Sequence, residues 1–273
     1  MKKHVDEITK EEMNLVRECF DEFSVNEIAE LTKLTYYEVL YCLKRIYPSL
    51  DLLPLMTGYS INEKRILVMS DTHIGSKFEN LYYVEETMMF GIDKGIYTFV
   101  HNGDVIQSDF KNVLGKYRNE DKQVEHLIND FPYNPLIRYI MMFGNHDFNT
   151  FSKDQHFMDM FNSRKDFHLL GVKYGYINWL GSTIALIHPT KKYMIPIPFC
   201  EAAIVLRGHA HNFMFKGPHT AYVSTMSDDK IQNNESRPGF LVVTNESDHF
   251  LIEPYYFENA LICEDERKIF VKK

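Results

Sequence analysis

No stretch of this 273-residue chain approaches the roughly 20 consecutive apolar residues that a membrane-crossing helix needs, which excludes a helical membrane span. The opening Met1-Lys2-Lys3-His4-Val5-Asp6-Glu7 has no apolar segment behind its lysines, so no secretory signal is expected. Cysteine is sparse and scattered: Cys19, Cys42, Cys200 and Cys263 form no CxxC pair, and they read as reduced thiols of a cytoplasmic protein. Positive charge is also short. The net charge of −8 argues against broad electrostatic binding to nucleic acid, while leaving room for a local basic groove. Internal repeats and low-complexity tracts are absent. What remains is ordinary for a soluble globular chain, 45% apolar and 25% charged, enough to bury one large core or two modest ones. The one compositional pointer to chemistry is histidine: there are twelve, and several sit in short motifs.

The first 60 residues read as a small all-helical domain plus linker. Residues 8 to 23 carry Met13, Val16, Phe20 and Phe23 at a helical period, with Thr9 and Glu12 at capping-box spacing. A second helix starts at Ser24, with Glu27 at the box position and Ile28, Ala29 and Leu31 as its apolar residues. A break at Thr32 to Thr35 leads to a third helix, Tyr36 to Ile46, with Val39, Leu40 and Leu43 inward. Two short helices across a tight turn are helix-turn-helix-like, although the glycine often found in that turn is missing. Seven Lys/Arg stand against eleven Asp/Glu in residues 1–60, and a DNA reader should be basic where it meets phosphates. DNA contact is therefore the less favoured reading beside packing, dimerisation or protein contact. Residues 48 to 61, with Pro54 and Gly58, read as the linker.

From Lys64 the pattern changes to strands alternating with helices, and each strand ends in polar residues. Ile66 to Met69 leads into Ser70-Asp71-Thr72-His73; Ile96 to Val100 into His101-Asn102-Gly103-Asp104; Ile137 to Phe143 into Gly144-Asn145-His146-Asp147, where a loop is expected to begin. Helices are expected over 79–94, 111–129 and 151–163. Beyond residue 167 strands dominate. Val172 to Trp179 and Ser182 to Ile187 form a hairpin around Leu180-Gly181, the second strand ending in His188. Ala202 to Leu206 ends in Arg207-Gly208-His209-Ala210-His211, and further strands are expected at 220–225, 239–244 and 250–256, with a polar loop from Asp228 to Pro238.

Five strand ends thus carry Asp71 and His73, Asp104, Asn145 and His146, His188, and His209 and His211. The Asp-x-His and His-x-His spacings put both side chains on one side of an extended segment. Carboxylate, imidazole and amide oxygen together suit Mn²⁺, Fe²⁺ or Zn²⁺. The ligand count exceeds what one ion needs, and two ions about 3.5–4 Å apart make a site for phosphoryl transfer.

Taken in order, these motifs resemble the full signature of the calcineurin-like metallophosphoesterases, over roughly residues 64 to 256. The resemblance implies an α/β fold in four layers, two mixed sheets packed face to face with helices outside, over a domain of residues 61–273. It implies one ion held by Asp71, His73 and His211, a second by Asn145, His188 and His209, and Asp104 bridging them through its two oxygens. It further implies two divalent ions, Mn²⁺ first with Fe²⁺/Fe³⁺ or Zn²⁺ as alternatives, and a bridging hydroxide as nucleophile. His146 would sit by the phosphate, with Asp147 orienting its imidazole. Arg207 and His101 are candidate substrate contacts, as is the Lys191-Lys192 pair. The expected activity is hydrolysis of a phosphate ester, a diester in preference to a monoester, on a substrate that includes nucleotides or nucleic acid among its candidates. The alternatives are a metal-dependent nuclease docked by the helical domain, and a regulator with an idle metal site. Specificity is expected in loops 105–135 and 189–200.

Overall fold

The computed structural model describes residues 8–20, 22–23, 25–47, 59–108, 119–151, 154–172, 174–188, 202–217, 219–228 and 236–272. They fall into two compact units. The first is a group of three helices, α1 (Lys10–Cys19), α2 (Val25–Thr32) and α3 (Tyr36–Ile46). Thr9 and Glu12 close the expected capping box on α1, and Thr35 with Glu38 closes a second one on α3. Each box satisfies amide groups that the first turn would otherwise leave unpaired. Val16, Ile28, Val39 and Leu43 form the centre of the group, whereas Leu31 and Phe23, expected inward, are exposed. The turn between α2 and α3 is made by Lys33 at φ 58°, so a lysine adopts the left-handed conformation for which glycine is usual.

The second unit begins sooner than expected. Tyr59–Ile61 is not linker but β1, paired in parallel with residues 177–179. There follow β2 (Arg65–Met69), α4 (Leu81–Asp93), β3 (Thr98–Asn102), α5 (Glu120–Asp130), β4 (Arg138–Phe143), α6 (Asn145–Phe151), α7 (Gln155–Ser163) and β5 (Phe167–Val172). Strands β2 to β5 pair in parallel, in chain order. Successive right-handed crossovers put their helices on one face of such a sheet, and Val84 and Met88 of α4, Val124 and Leu127 of α5 and Phe161 of α7 share one core with Leu67, Phe99 and Tyr139. The opposite face, Ile66, Val68, Val100, Ile140 and Met142, packs on a second sheet. These strands are buried on both sides, which is why they read as unbroken apolar runs.

The second sheet contains β1, β6 (Tyr174–Trp179), β7 (Ser182–Ile187), β8 (Ile204–Arg207), β9 (Met214–Lys216) and β10 (Thr220–Tyr222), in the order β1-β6-β7-β8-β10-β9. The β6–β7 hairpin forms as expected, with Leu180 (φ 48°) and Gly181 (φ 79°) both left-handed, the backbone that matches strand twist in a two-residue turn. The first sheet is completed by β11 (Gly239–Asn245), β12 (His249–Glu258), β13 (Leu261–Glu264) and β14 (Lys268–Val271), all antiparallel. Both sheets are mixed, and helices cover the outer face of the first, as the resemblance implied.

Two helices depart from expectation. Gly144-Asn145-His146-Asp147 does not open a loop: Asn145 is the first residue of α6. The helix expected over 151–163 breaks after Phe151 and restarts at Gln155, capped by the Asp154 side chain. Of the helix expected over 111–129, residues 111–118 lie outside the described residues, and α5 starts at Glu120 behind an Asn119 cap.

Candidate metal centre

The first sheet delivers Asp71 and His73 after β2, Asp104 after β3 and Asn145 after β4; the second delivers His188 after β7 and His209 and His211 after β8. All seven meet at the carboxyl ends of the strands, where open α/β sheets place their ligands. The backbone that aims them is not extended, as their spacing suggested. Of ten described non-glycine residues with positive φ, five are Asp71, His73, Asp104, His209 and His211, at φ 46–72°. Left-handed backbone costs an ordinary residue roughly 1–2 kcal/mol, and such strain collects where a site demands it. The pairing of β2 with β3 continues through this bent region: Asp71 N–H donates to Gly103 O, His73 N–H to Asp104 O and Ile74 N–H to Val105 O.

Each carboxylate divides its labour. Asp71 Oδ2 accepts from the His209 amide (3.0 Å) and the Ser70 hydroxyl. Its Oδ1 has no hydrogen-bond partner, though the Nε2 atoms of His211, His73 and His188 stand 3.3, 3.7 and 3.8 Å away. Asp104 Oδ1 accepts from the His146 amide at 2.9 Å, and only Oδ2 faces the centre, 3.0 Å from His188 Nε2. Asp104 Oδ2 is therefore the oxygen left without a hydrogen bond, while Oδ1 is already engaged by an amide. Asn145 Oδ1 and His188 Nε2 are likewise buried without a hydrogen-bond partner. Buried polar atoms are nearly always paired; several buried oxygens and ring nitrogens without a hydrogen-bond partner at neighbouring strand ends fit a cation. Three sets of three donor atoms, Asp71–His73–His211, His73–Asp104–His146 and Asp104–His188–His209, each lie within 4.8 Å of one another.

His188 stands at the middle. Its Nδ1–H donates to Asn102 O at 2.8 Å, which turns Nε2 toward the carboxylates. Asn102 was not singled out from the sequence, yet its side chain donates across to Leu206 O (3.0 Å) and Ile187 O (3.4 Å), pinning the two sheets together. A polar residue closing an otherwise apolar strand was the available signal. Glycines wall the ring: a Cβ on Gly208 would stand 2.6 Å from Asn102 O and 2.7 Å from His188 Nδ1, and one on Gly144 would run into Asp104. Gly208→Ala is expected to cost about 1–3 kcal/mol through overpacking, read as a lowered urea midpoint of the metal-free protein.

The electrostatics follow from this crowding. Burial, aided by His146, pushes the His73 imidazole down to about 3, and burial pushes His101 to about 4 and His209 downward. Burial alone would lower His188 as well, but the Asp104 and Asp71 carboxylates raise it to about 9. The same contacts hold both aspartates below their usual range despite burial, chiefly through His188. The signs are definite. A raised His188 stabilises the fold fully below pH 6.5, and that stabilisation fades as pH rises through about 9. Depressed histidines and aspartates lose theirs as pH falls below 6.5 and 3.8 respectively. The Tm of the chelated protein should therefore peak near pH 6.5 and fall on either side. A divalent ion bound at His188 would have to displace its proton, so a metal-induced rise in Tm should grow between pH 6.5 and 9, as thermal scans with added Mn²⁺ and with chelator would reveal.

His146 Nδ1 bonds to Gln107 O at 2.6 Å, and its Nε2 lies 3.9 Å from Asp104 Oδ2. Asp147 does not orient this ring, as expected from the sequence. Its carboxylate accepts from the backbone amides of Gly144, Val105 and Ile106 at 2.8–3.1 Å, tying α6 to the Asp104 loop. His101 is fully buried, its Nε2 on Thr72 Oγ1 at 3.0 Å, and so lies out of reach of a substrate. Arg207 alternates with the inward-facing Leu206 and stacks on Tyr222, 5.2 Å from guanidinium to ring centre, on the outer face of its sheet. Lys191 and Lys192 lie outside the described residues.

The chain is a two-sheet α/β sandwich with a buried cluster of carboxylate, amide and imidazole groups at its strand ends that could hold metal ions. The family model for calcineurin-like phosphoesterase matches residues 64–213, more than half of the chain, and the chain belongs to that family. No curated protein matches it. Among solved structures it is similar to YfcE, a phosphoesterase from E. coli (15% identity, 76% of this chain and 99% of that one, TM-score 0.47). It is similar too to a zinc complex of Vps29 from Entamoeba histolytica (14%, 76% and 99%, 0.45) and to Vps29 of Chaetomium thermophilum (12%, 77% and 100%, 0.48). Among the described residues no helix is long and apolar enough to cross a membrane.

Proposed function

We propose that this chain is a two-metal phosphoesterase that hydrolyses a phosphodiester more readily than a monoester, with Mn²⁺ as its preferred ion. The observation that carries the reading is the set of buried polar atoms at these strand ends with no hydrogen-bond partner: Asp71 Oδ1, Asp104 Oδ2, Asn145 Oδ1 and His188 Nε2. Asp71, His73 and His211 would hold one ion and Asn145, His188 and His209 the other, with Asp104 Oδ2 between them. Bound ions would supply Lewis acidity toward a phosphate oxygen and bring a water near neutral pKa. The protein does the rest. The carboxylates of Asp71 and Asp104 are 0 and 1% exposed, but the His146 side chain is 16% exposed, so the phosphate approaches from the His146 side. With Nδ1–H on Gln107 O, His146 presents Nε2 to the ester; as the imidazolium it would give the Nε2 proton to the leaving oxygen and be left as the neutral Nδ1–H ring.

Residues 1–58 are read as a separate helical domain whose acidity disfavours docking on a phosphate backbone. The unbridged Cys19, Cys42 and Cys263 suit a cytoplasmic protein. The test is hydrolysis of an aryl phosphodiester and its monoester by protein stripped of metal and then given Mn²⁺. Diester cleavage that returns with Mn²⁺ is the expected result. Monoester cleavage alone would move the protein to the phosphatases, and metal binding without turnover on either would favour the idle-site alternative.

A further inference from the structure

His146 is held by a peptide group, and that peptide group is itself held. The carbonyl that receives His146 Nδ1 belongs to Gln107 (2.6 Å), and the amide N–H of the same planar unit, on Ser108, donates to Gln123 Oε1 at 2.8 Å. A peptide engaged at both ends cannot rotate without breaking both bonds. Polarisation also runs along it: an acceptor on the N–H makes the carbonyl a stronger acceptor for the imidazole.

The restraint has work to do. Ser108 sits at φ 58°, a backbone that costs a non-glycine residue roughly 1–2 kcal/mol and inclines this peptide to turn over. The other contacts at Ser108 hold its side chain, not its amide: Oγ donates to Glu120 Oε1 (3.1 Å) and accepts from Thr150 Oγ1 (2.9 Å). Gln123 is only 1% exposed, on α5, with its stem against Gly75 so closely that a Cβ there would meet Gln123 Cγ at 2.5 Å. That contact reaches the loop following Asp71 and His73. A buried glutamine is costly unless its polar end is used, and here it meets the peptide whose carbonyl holds the His146 ring.

Resting on the reading of His146 as proton donor, we propose that Gln123 is a positioning residue for His146, acting through the Gln107–Ser108 peptide to keep Nδ1–H on the Gln107 carbonyl, so that Nε2 faces the substrate, carries the proton that is given up and leaves the neutral ring in its Nδ1–H form. Gln123→Met keeps the length and the burial and removes the acceptor. In the metal-free full-length protein, ¹⁵N-histidine spectra (His146 assigned by its loss in His146→Ala) should show Nδ1 protonated in the wild type. Gln123→Met should shift the ring toward the Nε2–H form that prevails in water. With Mn²⁺, Gln123→Met should lower phosphodiester turnover by about ten-fold or more, at unchanged metal content and KM. In the His146→Ala background the same change should cost less than about two-fold, since the two residues act as one unit. An unaltered His146 spectrum in Gln123→Met would overturn the proposal. So would a loss of turnover as large without His146 as with it, which is the mark of a merely structural glutamine. An inactive wild type would defeat the phosphoesterase reading and leave the spectra to decide this one. Should Gln123→Met fail to fold, Gln123→Asn, which withdraws the carbonyl by one methylene, carries the same comparison.

Discussion

Asp104→Asn should lower Mn²⁺-dependent turnover by at least about 10³-fold, the upper range for loss of a preorganised electrostatic group, and reduce the bound metal from two ions to one or none. The substitution isolates the charge. Asparagine keeps an oxygen for the His146 amide, which Asp104 Oδ1 now accepts at 2.9 Å, so the start of α6 stays in place. What changes is Oδ2, replaced by an amide group that donates where the wild type offers its one inward-facing oxygen. The His188 imidazole also loses the carboxylate that does most to raise its pKa. Metal analysis of the dialysed protein beside kcat would check this. A variant with two ions and near-native turnover would remove Asp104 from the centre of the mechanism.

His146→Ala should lower turnover by about 10²–10⁴-fold while both ions stay bound. The backbone N–H that serves Asp104 survives in alanine, and the lost ring leans edge-on against His73 at 4.9 Å between centroids, its Nε2 3.9 Å from Asp104 Oδ2. The size of the loss should depend on the leaving group. A nitrophenolate departs without a proton, so nitrophenyl esters should suffer far less than alkyl esters. An equal loss on both would assign His146 to charge stabilisation instead of proton donation.

Much of the centre was legible in sequence because its grammar is local. An apolar run buried on both faces announces a strand, and polar residues at its carboxyl end announce the rim; repeated five times, that pattern picked out Asp71, His73, Asp104, Asn145, His188, His209 and His211, which stand at neighbouring strand ends. The directions of those residues were not legible. Asp71-Thr72-His73 and His209-Ala210-His211 look extended by spacing, yet their ligands are left-handed, a state that tertiary contacts impose against local preference. Asp147 looked like a partner for its neighbour His146, but on the first turn of a helix adjacent residues point apart, and three backbone amides converge on its carboxylate instead. Gln123 and Asn102 act on residues far from them in sequence, through a peptide and across a sheet interface, and no short motif records either. β5 was overlooked because Gly171 interrupts an otherwise apolar segment, and β9, β13 and β14 are too short for a period to establish itself.

The division of the seven residues between the two sheets ties assembly to occupancy. Asp71, His73, Asp104 and Asn145 belong to one layer and His188, His209 and His211 to the other, so neither layer alone retains either proposed set of ligands. Ions bound between them would rivet the layers together, favouring the closed sandwich by mass action. An opening of the sandwich anywhere along its interface would release the ions, and metal loss would then register damage as distant as the Trp179–Phe250 contact at its far end.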